Sequence, residues 1–220
     1  LIALLLLPLL AFSQAGQWEM DFDEDWAAAG KQPKTLTFQY VSTYPATITI
    51  GGSNYGQPAD PSQALVDAGD GVFVPWTSNT ITLKGNRVRF RGDWRNSSGN
   101  FRDLFSGTFA GGHNVTMSGG FDFDGAPVAN MFRFTFNGCS KLTGSIPSGL
   151  FGNLSGAPAA GMFYGTFAYC SNMTGKSAFM PDGVTPLYEQ FSTASGDQCD
   201  NCYYGATGLD DYDDIPDAWK

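Results

Sequence analysis

Acidic clusters supply the side chains of this sequence that are best suited to binding a metal. The densest lies at residues 210–217 and contains Asp211, Asp213 and Asp217. Several carboxylates within one loop offer the oxygen ligands that Ca²⁺ prefers. The clusters do not complete an EF-hand pattern, so two interpretations stay open: a calcium site at these three aspartates, or acidic loops that face solvent.

A pair of cysteines near the C-terminus is a second candidate for chemistry. Cys199 and Cys202 enclose two residues, a spacing that suits a local disulfide, a redox pair or half of a zinc site. No second pair of cysteines or histidines completes a zinc site. We therefore favour a disulfide that closes the C-terminal segment.

The sequence shows no catalytic constellation. His113 is the only histidine, and no serine or cysteine nucleophile signature accompanies it, so we interpret it as a turn residue. Phosphate-binding glycine loops, HExxH helices and GxSxG elbows are absent from the sequence. We expect no enzyme and no cofactor other than calcium. A secreted glycan-active enzyme stays an alternative, because the spacing of two catalytic carboxylates is a tertiary property.

An internal repeat organises the second half of the chain. Residues 131–144 and 162–175 share Met, Phe, Thr, Phe, Cys, Ser, Thr and Gly at matching places. A looser copy at residues 104–116 precedes them, with Phe109 at the place of Phe136, and a fainter copy occupies residues 203–216. Self-similarity of this kind is the signature of a repeat architecture.

Each repeat unit has the pattern of one short helix followed by one short strand. Between residues 131 and 139 the apolar positions fall at i, i+1, i+4, i+5 and i+8, which predicts about two helical turns. Residues 142–146 alternate and predict a strand that Pro147 ends. A single unit cannot bury its apolar face, so copies must pack together. We predict an α+β repeat solenoid with a short strand and a short helix in each unit.

The predicted repeat core is the set of large or apolar residues at recurring positions. It comprises Phe109, Phe136, Cys139, Leu142, Ile146, Phe167, Cys170 and Met173. The two cysteines of this set are either buried small side chains or a disulfide between neighbouring units.

Threonines recur once in each unit and define a predicted binding face. Thr116, Thr143 and Thr174 occupy equivalent positions and should form a ladder. A regular row of hydroxyls suits a glycan or a flat protein surface. These three residues are the predicted ligand contacts.

The N-terminal part of the chain divides into two predicted segments. Residues 1–15 combine an apolar run with small residues at a cleavage position, which predicts a signal peptide that is truncated at its start. Residues 16–95 contain several period-two segments and predict a small β-rich module that caps the repeats. Residues 96–220 form the predicted solenoid with its C-terminal cap. A secreted or cell-surface location follows.

Charge and composition exclude some classes of partner. The chain has 12 basic and 21 acidic residues, a net charge of −9, so it lacks the basic footprint that nucleic acid requires. No apolar run reaches the roughly 20 residues that span a membrane. Charged residues make up only 15% while Gly (28) and Phe (18) are frequent, a composition that permits self-association.

The repeat motif resembles the BspA-like leucine-rich repeats of bacterial and some protist surface proteins. The motif residues are Phe136, Cys139, Ser140, Leu142, Thr143, Ile146 and Pro147, and they recur in part as Phe167, Cys170, Ser171, Met173 and Thr174. This resemblance implies a strand-and-helix solenoid of leucine-rich-repeat type, a surface location and a role in adhesion, and it implies no catalytic residues.

The expected function is therefore a secreted or cell-surface adhesion module that binds an extracellular protein or glycan through a repeat face. A self-associating structural protein of a matrix or fibre is the alternative, and a secreted glycan-active enzyme is a third, weaker one.

Overall fold

The computed structural model describes residues 34–51, 63–95 and 99–220. All described residues belong to the second of the two units into which the chain divides, which spans residues 33–220. The predicted signal peptide at residues 1–15 lies outside the described residues.

Short strands dominate this second unit. The strands of the described residues are β1 (Thr35–Tyr40), β2 (Thr47–Thr49), β3 (Ala64–Asp67), β4 (Val74–Pro75), β5 (Thr80–Thr82), β6 (Arg87–Gly92), β7 (Val115–Ser118), β8 (Asp124–Gly125), β9 (Leu142–Thr143) and β10 (Asn153–Leu154). Six of them form a mixed sheet in the order β4-β3-β6-β1-β7-β9. Two small sheets pair β2 with β5 and β8 with β10.

The sheet forms because its two central strands alternate strictly between apolar and polar residues. In β1, Leu36, Phe38 and Tyr40 are buried while the intervening residues are half-buried. In β6, Val88 and Phe90 are buried on the same face. A period of two places these apolar side chains on one side of a pleated sheet. β1 and β6 therefore lie where the sequence predicted strands.

β1 joins the two segments that the sequence analysis separated at residue 95. It pairs antiparallel with β6, where Phe38 faces Val88, and antiparallel with β7, where Phe38 faces Met117. β7 pairs in parallel with β9. Strands from both sides of residue 95 thus belong to one sheet.

The prediction of an α+β repeat solenoid is wrong. The regular elements of the described residues are mostly strands, which form mixed sheets, and the described residues contain a single α-helix of four residues, α1 (Leu187–Gln190). Three 3₁₀ helices follow it, Gly196–Gln198, Tyr212–Asp214 and Asp217–Trp219. Among the described residues no helix has the length and apolar character that a membrane crossing requires.

The segment predicted as a helix at residues 131–139 is a series of consecutive turns. Asn130, Phe134 and Gly138 have φ angles of 60°, 55° and 70°, so every fourth residue is left-handed. A right-handed helix cannot accommodate such residues. The Thr135 amide donates to the Phe132 carbonyl at 3.1 Å, and the Asn137 amide donates to the Phe134 carbonyl in the same way. Hydrogen bonds between residues three apart are expected for turns. Turns that repeat every four residues bury the same positions of this short segment as a helix would. The apolar pattern therefore fits both structures, which explains the wrong prediction.

We use the term turn segments for residues 101–109, 131–139, 162–170 and 199–206. Neighbouring turn segments pair through the amides that their own turns leave free. The Phe134 amide, for example, donates to the Tyr164 carbonyl at 2.9 Å, and the Phe105 amide donates to the Thr135 carbonyl at 2.8 Å. Equivalent residues of successive copies therefore lie directly beside one another.

Stacked rings between the turn segments define how the copies align. Phe105, Phe136, Phe167 and Tyr203 form one row, with successive ring centroids 5.6, 5.2 and 5.6 Å apart. The sequence analysis aligned Phe109 with Phe136, whereas the structure places the Phe105 ring beside the Phe136 ring. Val115 does pair with Leu142, as the sequence alignment implied. The difference arises because the chain is longer between Phe105 and Val115 than between Phe136 and Leu142.

The core lies between the six-stranded sheet and the turn segments. The Phe38 ring of β1 lies 4.8 Å from the Phe105 ring and 4.3 Å from the Phe109 ring. All eight residues of the predicted repeat core are buried: Phe109, Phe136, Cys139, Leu142, Ile146, Phe167, Cys170 and Met173.

Candidate functional site

Two positions in each turn segment have a left-handed backbone. The first is occupied in successive copies by Asp103, Phe134, Gly165 and Asn201, with φ between 55° and 60°. The second is occupied by Gly107, Gly138, Tyr169 and Gly205, with φ between 62° and 72°. Gly, Asn and Asp tolerate this backbone conformation, whereas bulky side chains rarely adopt it.

Phe134 and Tyr169 are the two exceptions. A left-handed residue with a Cβ costs roughly 1–2 kcal/mol. Backbone strain of this kind persists only where the surrounding structure enforces it, and it concentrates at functional sites. These two positions are therefore where the repeat departs from its own most stable sequence.

Phe134 belongs to a cluster of one arginine and two rings. The Arg133 guanidinium lies 4.3 Å from the centroid of the Tyr164 ring and 5.0 Å from that of Phe134. The two rings meet edge to face, with centroids 5.3 Å apart and planes at 89°. Gly165 makes room for the Phe134 ring, because a Cβ at this position would collide with it. The second and third copies thus build the cluster together.

Tyr169 forms a second pair of rings with Tyr204 of the last copy. Their centroids are 5.3 Å apart and their planes meet at 83°. Tyr169 is 58% exposed and Tyr204 is 48% exposed. We call Arg133, Phe134, Tyr164, Tyr169 and Tyr204 the aromatic face. Arg133, Phe134 and Tyr164 are half-buried. Tyr and Arg are residue types enriched in binding interfaces.

The predicted threonine ladder is only partly assembled. Thr116 and Thr143 are register partners on β7 and β9. Their hydroxyls donate to the carbonyls of Gln39 at 3.4 Å and of Val115 at 3.2 Å. Thr174 is exposed and out of register, because its amide bonds the Gly144 carbonyl at 3.1 Å. The hydroxyls of Thr116 and Thr143 are therefore engaged by backbone carbonyls of the sheet.

The structure does not bring the predicted calcium ligands together. Asp211 is buried, and its carboxylate accepts from the Ser177 amide at 2.8 Å and the Ser177 hydroxyl at 2.9 Å. Asp213 is exposed, and Asp217 lies 3.8 Å from Lys220. Across residues 34–51, 63–95 and 99–220 no group of three or more His, Cys, Asp or Glu residues could hold a metal ion. Asp211 is a structural residue that connects the last copy to Ser177, which follows the third copy.

His113 makes packing contacts beside β7. Its Nδ1 lies 2.9 Å from the Thr43 hydroxyl, and its ring meets the Tyr40 ring edge to face at 6.2 Å. It is half-buried in a bend, consistent with its interpretation as a turn residue.

All four cysteines are free and buried, so the predicted disulfide between Cys199 and Cys202 is not formed in this structure. The thiol of Cys139 donates to the Phe105 carbonyl at 2.9 Å, and that of Cys170 donates to the Phe136 carbonyl at 3.1 Å. Burial raises the pKa of Cys139 to about 12 and that of Cys199 to about 11. It also raises the pKa values of Cys170 and Cys202 well above the ordinary value of a thiol.

Thiol reactivity tests this arrangement. Because the thiolate is the reactive form, the native protein at pH 8 should not react with a thiol-specific disulfide reagent, and unfolding without reductant should expose four reactive thiols. The measurement is the absorbance of the released chromophore. Two thiols instead of four after unfolding would show that one disulfide exists in the purified protein.

The aromatic face carried a signal that the sequence analysis did not use. The two strongest copies agree at positions that are buried, such as Phe136 and Phe167. They differ at Arg133 and Tyr164, and at Gly138 and Tyr169. Differing positions that lie outside the core, such as Tyr164 and Tyr169, are not needed for the packing common to both copies, so they are available for a ligand.

Comparisons with known proteins add no assignment. No family model matches the chain, and no curated protein or solved structure matches it. The resemblance to BspA-like leucine-rich repeats therefore rests on the motif residues alone and stays a prediction.

Proposed function

We propose that this chain is an interaction module of a secreted or cell-surface protein and that it binds its ligand, a protein or a glycan, through the aromatic face. One observation carries the proposal. Phe134 and Tyr169 hold strained, left-handed backbones at positions where the other copies have Gly, Asn or Asp. Tyr169 is also largely exposed, so its strain is not offset by burial.

The chemistry of the face supports binding rather than catalysis. Its five residues are rings and one guanidinium, and they include none of the histidine or carboxylate side chains that most often transfer protons in enzymes. Tyr and Arg account for many of the residues that dominate binding energy. Tyr also offers a large contact area with few rotatable bonds, so it loses little entropy when a ligand orders it.

The charge and the N-terminal sequence support the choice of ligand class and location. A net charge of −9 disfavours nucleic acid. The apolar residues 1–12 followed by small residues have the pattern of an export signal. An extracellular protein or glycan is the partner consistent with both features.

Replacing Tyr169 with glycine separates function from stability. The repeat places glycine at this position in the neighbouring copies, as Gly138 and Gly205. We expect the free energy of unfolding to stay the same or to rise by up to about 1 kcal/mol, because strain is relieved while chain entropy is lost. Affinity for the ligand should fall at least about tenfold. Denaturant unfolding and binding to arrayed glycans and matrix proteins measure the two effects.

Tyr44→Ala is the matched control, because Tyr44 is 41% exposed but lies outside the turn segments. It should bind as the unmodified protein does. If Tyr169→Gly binds as well as the unmodified protein, Tyr169 makes no contribution to binding. If the variant loses several kcal/mol of stability, the residue is structural. Either result would show that the proposal is wrong. If the bound partner is a second copy of the chain, the same variant should abolish concentration-dependent growth in light scattering.

A further inference from the structure

Two equivalent arginines of neighbouring copies have different surroundings. In the first copy, Arg102 forms an ion pair with the adjacent Asp103, with Nε 3.2 Å from Oδ2. In the second copy, the equivalent Arg133 is followed by Phe134 at the position of Asp103. The repeat has thus replaced the arginine's counter-ion by a ring. Within the described part of the chain no carboxylate forms an ion pair with Arg133.

The rings that replace the carboxylate hold Arg133 in place. Its guanidinium lies 4.3 Å from the Tyr164 centroid and 5.0 Å from the Phe134 centroid. Stacking on an aromatic ring engages the face of the planar guanidinium. The N–H donors lie in the plane of that group, where an acceptor with two oxygens can meet two of them at once. The rings thus orient Arg133, and no described residue forms an ion pair with it. Its N–H donors are therefore positioned to bind an anion.

We propose that Arg133 binds an aspartate or glutamate carboxylate of a partner protein, an inference that rests on the proposed function of the aromatic face. The fork of a guanidinium matches a carboxylate in geometry as well as charge. The ring pairs meet at 89° and 83°, so they form no coplanar platform along which a sugar chain could lie.

The probe is a display library of short random peptides, selected on the immobilised protein. We expect the bound pool to be enriched in Asp and Glu. A synthetic peptide from the pool should lose about 10- to 100-fold in affinity when its acidic residue becomes the corresponding amide, and Arg133→Gln should cause a loss of the same size. Arg133→Lys should be intermediate, since it keeps the charge but not the planar fork.

Three further variants separate the contribution of the counter-ion from that of the ring. Arg102→Gln removes an arginine that already has a partner, so it should leave peptide binding unchanged. Phe134→Asn and Phe134→Asp both introduce residues that the repeat tolerates at this position, as Asn201 and Asp103 show. Phe134→Asp should bind the acidic peptide roughly tenfold more weakly than Phe134→Asn, because its carboxylate competes for Arg133.

The outcomes distinguish the two proposals. If Tyr169→Gly lowers binding but Arg133→Gln does not, the aromatic face binds and the carboxylate inference is overturned. Binding that depends on neither residue overturns the proposed function itself. If dextran sulfate binds in an Arg133-dependent manner and acidic peptides do not, the anion is a sulfate and the inference of a protein carboxylate is wrong.

Discussion

Replacing Phe136 with alanine should lower the free energy of unfolding by about 3–5 kcal/mol. Phe136 is fully buried in the middle of the row of stacked rings. Its centroid lies 5.6 Å from that of Phe105 and 5.2 Å from that of Phe167. Truncation would remove these two stacked contacts and the ring contacts with Phe38 and Phe121, and it would leave a cavity that the paired backbones of the turn segments cannot close. Denaturant unfolding followed by intrinsic fluorescence measures the loss.

Phe123→Ala is the control for this variant. Phe123 packs against the same core but is only partly buried. Its truncation should cost about 1 kcal/mol, the typical value for a point mutation. Equal losses for Phe123→Ala and Phe136→Ala would contradict the central role that we assign to the stacked rings.

Replacing Asp67 with alanine should lower the free energy of unfolding by about 2–4 kcal/mol, somewhat less than Phe136→Ala. Asp67 is fully buried at the end of β3. Its Oδ1 accepts from the amides of Gly69 at 2.8 Å and Gly71 at 3.0 Å. Its Oδ2 accepts from Arg89, at 2.7 Å from Nε. Alanine would leave two amides and a largely buried guanidinium without their acceptor.

A nearby surface ion pair provides the comparison. Asp70 and Lys84 form an ion pair in which the side chains are 34% and 61% exposed. Asp70→Ala should therefore change stability far less than Asp67→Ala, since solvent screens this pair. Asp67→Asn should be intermediate, because the amide oxygen can still accept from the two glycine amides. A loss for Asp67→Ala no larger than that for Asp70→Ala would disprove the structural role of the carboxylate.

These predictions and those for the aromatic face concern different classes of repeat position. Phe136 and Phe167 are identical between copies and buried, so their replacement should affect stability. Tyr169 and Arg133 differ between copies and lie outside the core, so their replacement should affect binding. A scan of both classes would show whether the division holds.

Some features of this protein followed from the sequence alone. The alternation of apolar and polar residues in Thr35–Tyr40 and Arg87–Gly92 predicted strands, because a pleated strand has a period of two in any context. The recurrence of Phe and Cys predicted residues that are buried, because equivalent positions of neighbouring copies must pack against each other.

Only the tertiary structure decided how the repeats fold and what they expose. The apolar pattern of residues 131–139 fits both a helix and consecutive turns, and the choice depends on the left-handed backbones at Phe134 and Gly138. Hydrogen bonds and ring contacts with the next copy hold these backbones, so the local sequence could not reveal them. The same contacts bring Arg133 onto the Tyr164 ring, although the two residues belong to different copies. The aromatic face is therefore a property of the packed copies, because each copy supplies only part of it.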